Sequence, residues 1–276
     1  MRKSGIKPDY EVICMNYYIV DTFSDILFRG NQAGVCLLHE WLKDEIMQAI
    51  AAENNLAETA FVVKRDNYYD LRWFTPTTEI DLCGHATLAS AFVITHCLDN
   101  NVSNIDFHTK SGVLSVKKTD DLFEMDFPSR KPKKIEITPL MEQAVGVSVL
   151  EAYKSRDMLF LLENEKEVKN LQPDLNLVAK LPDCFALIVT AKGDCVDFVS
   201  RFFAPNAGIP EDPVTGSSHS TLIPFWAERL NKRSMTTKQL SKRGGTLYCK
   251  NCGERVRISG KAVLYLHGEI LMDNIV

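Results

Sequence analysis

No stretch of this 276-residue chain approaches the ~18 consecutive apolar residues of a membrane-spanning helix. Met1 to Pro8 carry Arg2, Lys3 and Lys7, but no apolar segment follows them, so a secretory signal is not expected. A dominant basic charge is missing as well: 32 Lys and Arg face 36 Asp and Glu, for a net charge of −4. Without a strong positive field there is little counterion release to gain, and nucleic acid is not an expected partner. No Gly-x-Gly-x-x-Gly follows a strand-like run and no Lys precedes Ser217 after Gly216, which argues against a dinucleotide site and a Walker loop. The Gly-x-Ser-x-Gly elbow is absent, which weakens a hydrolase triad of Ser217, His219 and Asp212. Eight irregularly spaced cysteines read as reduced thiols in the cytoplasm. Cys249-x-x-Cys252 lacks the second Cys or His pair of a four-ligand zinc site, and its surroundings read as a hairpin turn. Neither a metal nor a cofactor is expected.

With 45% apolar and 25% charged residues, the composition is that of a globular protein long enough for two domains. A pattern occurs twice. Leu71-Arg72-Trp73-Phe74-Thr75-Pro76 is followed by Asp81, then by Cys83-Gly84-His85-Ala86-Thr87 opening an apolar segment. Ser200-Arg201-Phe202-Phe203-Ala204-Pro205 is followed by Asp212, then by Thr215-Gly216-Ser217-Ser218-His219 opening another. Each reads as a strand, a Pro-marked stop, a loop ending in Gly and a helix. An internal duplication places a site where two related halves meet.

Strands are expected over 15–23, 35–38, 56–63, 105–107, 113–116, 122–127, 159–162, 185–189 and 197–203, with a closing hairpin of 255–259 and 263–266. The first fourteen residues show no clear period. Asp44 is the expected cap of a helix with Ile46, Met47, Ala49 and Ile50 on one face. A helix from Ala86 to about Ile94 is apolar nearly all round and should be enclosed by sheet. Another begins near Ser217 or Ser218, and Pro224 within it predicts a kink or early stop. The basic run Arg130-Lys131-Pro132-Lys133-Lys134 reads as a solvated linker at a domain boundary, giving halves of 15–128 and 129–276. The last strand, near 262–276, is a candidate to return to the N-terminal half. The class is α+β, with hairpins rather than βαβ units.

Glu58 is flanked by Ala57, Thr59, Ala60 and Phe61, and facing inward it would have little water around it. Desolvation raises a carboxylate's pKa and suits it to carrying a proton near neutral pH. A Gly before a small polar residue at a helix start exposes backbone N–H groups at the positive end of the dipole. Gly84 and Gly216, facing each other, would cradle a carboxylate substrate. His85 is placed to relay a proton, Asp212 to accept one or hold an amine, and Ser217 to cap its helix and touch the ligand; the ordinary alternatives are a core histidine, a turn and a plain N-cap. Cys83 is either a low-pKa acid–base thiol or a small packed residue. A racemase working with two thiols would need a second Cys where Thr215 stands.

Together, 16–23, Gly30-Asn31, 55–62, the 74–87 segment, Phe203-Ala204-Pro205 and Glu211-Asp212-Pro213-Val214-Thr215-Gly216-Ser217 resemble the phenazine-biosynthesis PhzF-like isomerase family. The resemblance covers nearly the whole chain. It implies a diaminopimelate-epimerase-like fold of two pseudo-symmetric halves, each a barrel-like, mostly antiparallel sheet wrapped around a central helix. It also implies cofactor-free proton transfer in the cleft between the halves, and a homodimer. By motif, Glu58 takes the acid–base role, with His85, Asp212 and Ser217 on supporting polar positions. Asn31, Gly84 and Gly216 fall on substrate-binding positions. Ala57, Gln32 and Ala86 depart from the family's usual Ser and prolines, which points away from the phenazine-pathway substrate itself. The reaction implied is an isomerisation or epimerisation of a small carboxylate-bearing molecule. A diaminopimelate-type racemase using Cys83 and a non-catalytic small-molecule-binding protein are the alternatives.

Overall fold

The computed structural model describes residues 14–272; 1–13 and 273–276 lie outside the described residues, including parts of the unpatterned N-terminus and of the expected last strand. The fold is mixed α+β, with much sheet and few helices.

Strand pairings come in two series of the same order. In the first, Cys14–Thr22 runs antiparallel to Asn31–Leu38, which is parallel to Glu58–Lys64. Tyr69–Phe74 is antiparallel to Glu58–Lys64 and, after the helix Gly84–Val93, parallel to Asn104–Thr109. Gly112–Thr119 and Leu122–Pro128 continue as a meander. In the second, Glu151–Lys154 is antiparallel to Met158–Leu161, which is parallel to Leu187–Lys192. Phe198–Phe203 is antiparallel to Leu187–Lys192 and, beyond the helix His219–Leu230, parallel to Ser234–Gln239. Gly245–Asn251 and Arg255–Gly260 close that series.

Each series encloses one helix. Gly84–Val93 is built of small and apolar residues and is buried from His85 onward, continuing as a wider turn over Ile94–Leu98. His219–Leu230 is buried from His219 to Ala227. Alternation along the strands decides which side chains meet these helices. Ala60 and Val62 join the central core, whereas Phe61 faces outward into a smaller cluster under the helix Asp44–Asn54 with Met47 and Ala51. The outer face of the second sheet packs under Pro139–Val145 and neighbouring short helices.

The series are stitched together. Leu122–Pro128 pairs with Arg255–Gly260, Lys133–Ile135 pairs onward with Glu151–Lys154, and Ala262–Leu271 pairs with Cys14–Thr22. Phe23 is fully buried at the seam, with a positive φ of 61°. A methyl group at Gly260 would come within 2.4 Å of its ring, so only glycine permits this approach.

Several expectations are corrected. Arg255–Gly260 and Ala262–Leu271 do not form the expected closing hairpin: with only Lys261 between them, each goes to a different neighbour. Asp44 does not cap its helix; it is the first helical residue, and its carboxylate receives Arg72 Nη1 at 2.8 Å. Pro224 does not stop its helix, which runs to Leu230. The Ser220 carbonyl that Pro224 leaves without its helical donor accepts the Arg130 N–H at 2.8 Å instead. The basic run is solvated at Lys131, Lys133 and Lys134 but is not a plain linker: the Arg130 N–H docks on the helix and Lys133–Ile135 is a strand. Phe185 lies outside the strand expected over 185–189, which spans Leu187–Lys192, and it is exposed.

Candidate active site

Glu58 opens its strand on the face it shares with Ala60 and Val62, the face that covers the helix Gly84–Val93. Its carboxylate consequently meets the N-terminus of that helix. Glu58 Oε2 lies 3.1 Å from His85 Nε2, and both residues are buried. On the other side of the ring, Nδ1 is 3.5 Å from Cys83 Sγ. The imidazole thus spans a thiol and a carboxylate. Burial alone would lower the His85 pKa, but its coupling to Cys83 and Glu58, by charge and hydrogen bonding, outweighs burial and holds the ring well above its ordinary value. Burial, then the Glu58 charge, pushes the Cys83 thiol up, so the helix terminus does not make it an acidic thiol.

Asp212 reaches the same site from the second series. Asn31, inward-facing like Ala33 and Val35, donates through Nδ2 to Asp212 Oδ1 at 2.7 Å and to the Val214 carbonyl at 2.9 Å. The Thr215 hydroxyl donates to Asp212 Oδ2. Gln239 fixes the same loop: Nε2 donates to the Asp212 carbonyl at 2.7 Å and to Thr215 Oγ1 at 3.2 Å, and Oε1 receives the Thr215 N–H at 2.9 Å. Burial raises the Asp212 pKa to about 6, against the His85 charge and the Thr215 and Asn31 donors, while the Glu58 charge adds to the rise. The mutual influence of Glu58, His85 and Asp212 places all three in one electrostatic neighbourhood.

Gly84 is the first residue of its helix, preceded by extended Cys83. The N–H groups there have no partner within the helix and face the Glu58 end of the site. Gly216 begins the turn leading into the second helix, where the His219 N–H bonds its carbonyl at 3.0 Å. Aromatic rings back both glycines: a methyl at Gly84 would stop 3.5 Å from Phe127, and one at Gly216 would stop 3.7 Å from Phe23.

Ser217 is placed differently from expectation. The regular helix starts at His219, and the residue at its cap position is Ser218, itself wound helically and without a side-chain cap bond, so Ser217 is not the cap. Its hydroxyl accepts Arg156 Nη2 at 3.3 Å. A Ser217, His219, Asp212 triad does not form, since His219 is fully buried with Nδ1 on the Thr215 carbonyl at 2.8 Å. Thr215, Gln239 and Arg156 escaped sequence reasoning as site residues. Only the second-half repeat pointed near them, and it carried no signal for Gln239 or Arg156.

Glu58, Cys83 and His85 are also the residues that offer ligand atoms to a cation, within 4.8 Å of one another. One ion, however, takes only one ring nitrogen, whereas Glu58 approaches Nε2 and Cys83 approaches Nδ1. With the carboxylate and the thiol on opposite ring nitrogens, the arrangement suits proton movement about the ring better than a shared metal.

This geometry agrees with what the chain is similar to. A family model described as phenazine biosynthesis-like protein, PhzC-PhzF, matches residues 20–268. An uncharacterised isomerase of Pseudomonas aeruginosa is 48% identical over 93% of this chain and 98% of its own length. The crystal structure of a PhzF-family phenazine biosynthesis protein from Enterococcus faecalis superposes with a TM-score of 0.93 at 46% identity, covering 94% of this chain and all of that one. A hydroxyproline epimerase from Agrobacterium vitis, at 10% identity, 95% coverage of this chain and 94% of its own, shares the fold with a TM-score of 0.61. The protein is an isomerase, and the chain belongs to the phenazine biosynthesis-like PhzC-PhzF family.

Proposed function

We propose that the protein moves a proton within a small carboxylate-bearing molecule, with Glu58 as the acid–base group and no cofactor. The observation that carries this reading is the buried pair of Glu58 Oε2 and His85 Nε2, 3.1 Å apart, neither atom having a hydrogen-bond partner of good geometry among the described residues. Two such atoms are poised to take a substrate's proton and acceptor. Glu58 removes the proton from an activated carbon and returns it to another position of the same molecule. His85 supplies positive charge beside the developing negative charge, and the N–H groups at Gly84 and Gly216 hold the carboxylate. Asp212, titrating near 6, accepts or gives a hydrogen bond to a polar substituent.

The same reading takes the two series of pairings as an internal duplication, divided after 128, with the cleft between the halves. Asn31 acts by holding the Asp212 loop as well as lining the cleft. Free thiols at all eight cysteines support a reducing compartment such as the cytoplasm. No helix among the described residues is long and apolar enough to cross a membrane, and homodimerisation is carried from the family resemblance. A thiol racemase is less well supported: Cys83 has a raised pKa, and Thr215 is committed to Asp212.

The test is turnover after dialysis against chelator, with no nucleotide or flavin added, comparing wild type with Glu58→Gln. Glutamine keeps the shape but cannot carry the proton, and a loss of about 10²–10⁴-fold is expected. A Glu58→Gln enzyme with near-normal activity, or a requirement for metal, flavin or nicotinamide, would overturn the reading.

A further inference from the structure

Arg156 sits in the tight turn between Glu151–Lys154 and Met158–Leu161. Its Nε and Nη2 fork onto Asp157, to Oδ1 and Oδ2, each at 2.8 Å, and Asp157 is only 1% exposed. Nη2 also reaches Ser217 Oγ at 3.3 Å, and the guanidinium lies over the ring of Phe185 with 5.0 Å to its centroid. Phe185 is 50% exposed, although it is a large apolar side chain. Nη1 has no partner among the described residues. The fork is thus held rigidly by a buried carboxylate while one edge remains open.

Arg130 stands beside it. Its N–H is bonded to the Ser220 carbonyl at 2.8 Å, while Ser155 Oγ meets Thr221 Oγ1 at 2.9 Å, so both arginine segments dock on the first turn of the same helix. The Arg130 side chain is half-buried and has no hydrogen bond or ion pair among the described residues. Burial, then the Arg156 charge, lowers its pKa, with Asp157 acting the other way. The two arginines thus dock on one helix turn with a single carboxylate partner, Asp157, which Arg156 holds, an arrangement that lacks one negative charge.

The Ser217 hydroxyl that Arg156 holds belongs to the turn that begins at Gly216. Ser217 is five residues from Asp212, at most ~17 Å along an extended chain and less through this turn. We infer that Arg156 and Arg130, with the Ser217 hydroxyl, bind a second carboxylate of the substrate, so that the preferred substrate is a dicarboxylate. One carboxylate lies at the glycine termini near Glu58, the other on the Nη1 edge of Arg156. The free Nη1 hydrogens donate to one carboxylate oxygen, the Ser217 hydroxyl, which accepts from Nη2, can donate to the other, and Phe185 covers the hydrocarbon beside them. This assignment rests on the isomerase reading above and specifies the substrate class for it.

The experiment is calorimetric titration of the full chain with succinate, glutarate and adipate, each against the monocarboxylate of equal carbon number, and with inorganic phosphate. Wild type should bind the best-fitting dicarboxylate at least about tenfold more tightly than its monocarboxylate partner. Arg130→Gln removes no side-chain hydrogen bond or ion pair among the described residues and should cut that advantage severalfold without affecting the monocarboxylate. Arg156→Gln combined with Asp157→Asn removes the buried pair as a unit, so that no charge is stranded, and should abolish the advantage. Thermal melts confirm that both variants are folded, and Arg130→Gln alone decides if the double variant is not. Equal affinity for mono- and dicarboxylates in wild type, or an advantage that survives Arg130→Gln, overturns the proposal. Phosphate binding tighter than every dicarboxylate and lost in the same variants overturns the carboxylate assignment. The titrations need no turnover, so their failure is distinct from failure of the Glu58→Gln test.

Discussion

Asn31 and Asp212 are 181 positions apart in the chain, yet Asn31 Nδ2 donates to Asp212 Oδ1 at 2.7 Å. The second amide hydrogen goes to the Val214 carbonyl, so one side chain from the first series of strands fixes both ends of a loop from the second. The bond favours ionised Asp212 and restrains a rise that burial would otherwise carry further. Asn31→Ala should therefore move the Asp212 titration above its value of about 6 by about one unit. Carboxyl NMR of Asp212 in the two proteins measures it; an unmoved or lowered titration would contradict the bond's role.

Cys83 is expected to be dispensable for chemistry. Its thiol is buried and shifted upward, so little thiolate is present at neutral pH. Cys83→Ala should keep activity within about tenfold of wild type, against the 10²–10⁴-fold typical of losing an acid–base group. A Cys83→Ala enzyme as inactive as Glu58→Gln would restore the thiol mechanism.

Two buried groups pull stability in opposite directions over the same acid range. Burial lowers the His219 pKa to about 4, so the contribution of the neutral ring is present above pH 6.5 and is lost as pH falls toward 4. Burial raises Asp212 to about 6, so its contribution is full below pH 4 and lost as pH rises through 6. The His219 shift is worth roughly 3 kcal/mol. Urea denaturation from pH 7 to 4 should show His219→Gln losing less stability on acidification than wild type. Asp212→Asn should lose more.

The paired arginines are not equivalent. Arg201, almost enclosed, forks onto Glu211 at 2.6 and 3.0 Å and donates Nη1 to the carbonyls of Val168 and Leu171. Arg72 forks onto Glu79, but Glu79 keeps Lys110, and the other partner, Asp44, is exposed. Arg201→Met should cost about 3–5 kcal/mol by stranding a carboxylate and two buried carbonyls. Arg72→Met should cost clearly less, as compared by denaturation midpoints.

Much of the fold was legible in residue patterns. The repeated Arg-aromatic-Phe-x-Pro segment marks two strands in equivalent pairings, and the first central helix declares itself by apolar content on nearly every side. Glu58 and His85 were legible because strand alternation and a helix start fix their directions locally. Pro224 misled because the Ser220 carbonyl it leaves unpaired is served by Arg130, ninety residues earlier in the chain. Gln239 and Arg156 lie in unremarkable local sequence. Their roles arise only when Ser234–Gln239 pairs beside Phe198–Phe203 and the 154–158 turn meets the second helix, and no local period encodes such meetings.

Pairing of Ala262–Leu271 with Cys14–Thr22 has a consequence during synthesis. The strand Cys14–Thr22 leaves the ribosome long before Ala262–Leu271, the segment that becomes its neighbour on one side. Until then its backbone presents unpaired donors and acceptors beside an incomplete sheet, an edge open to other nascent chains. The portion that carries Glu58 and His85 must wait for Ala262–Leu271 before Cys14–Thr22 is paired on both sides.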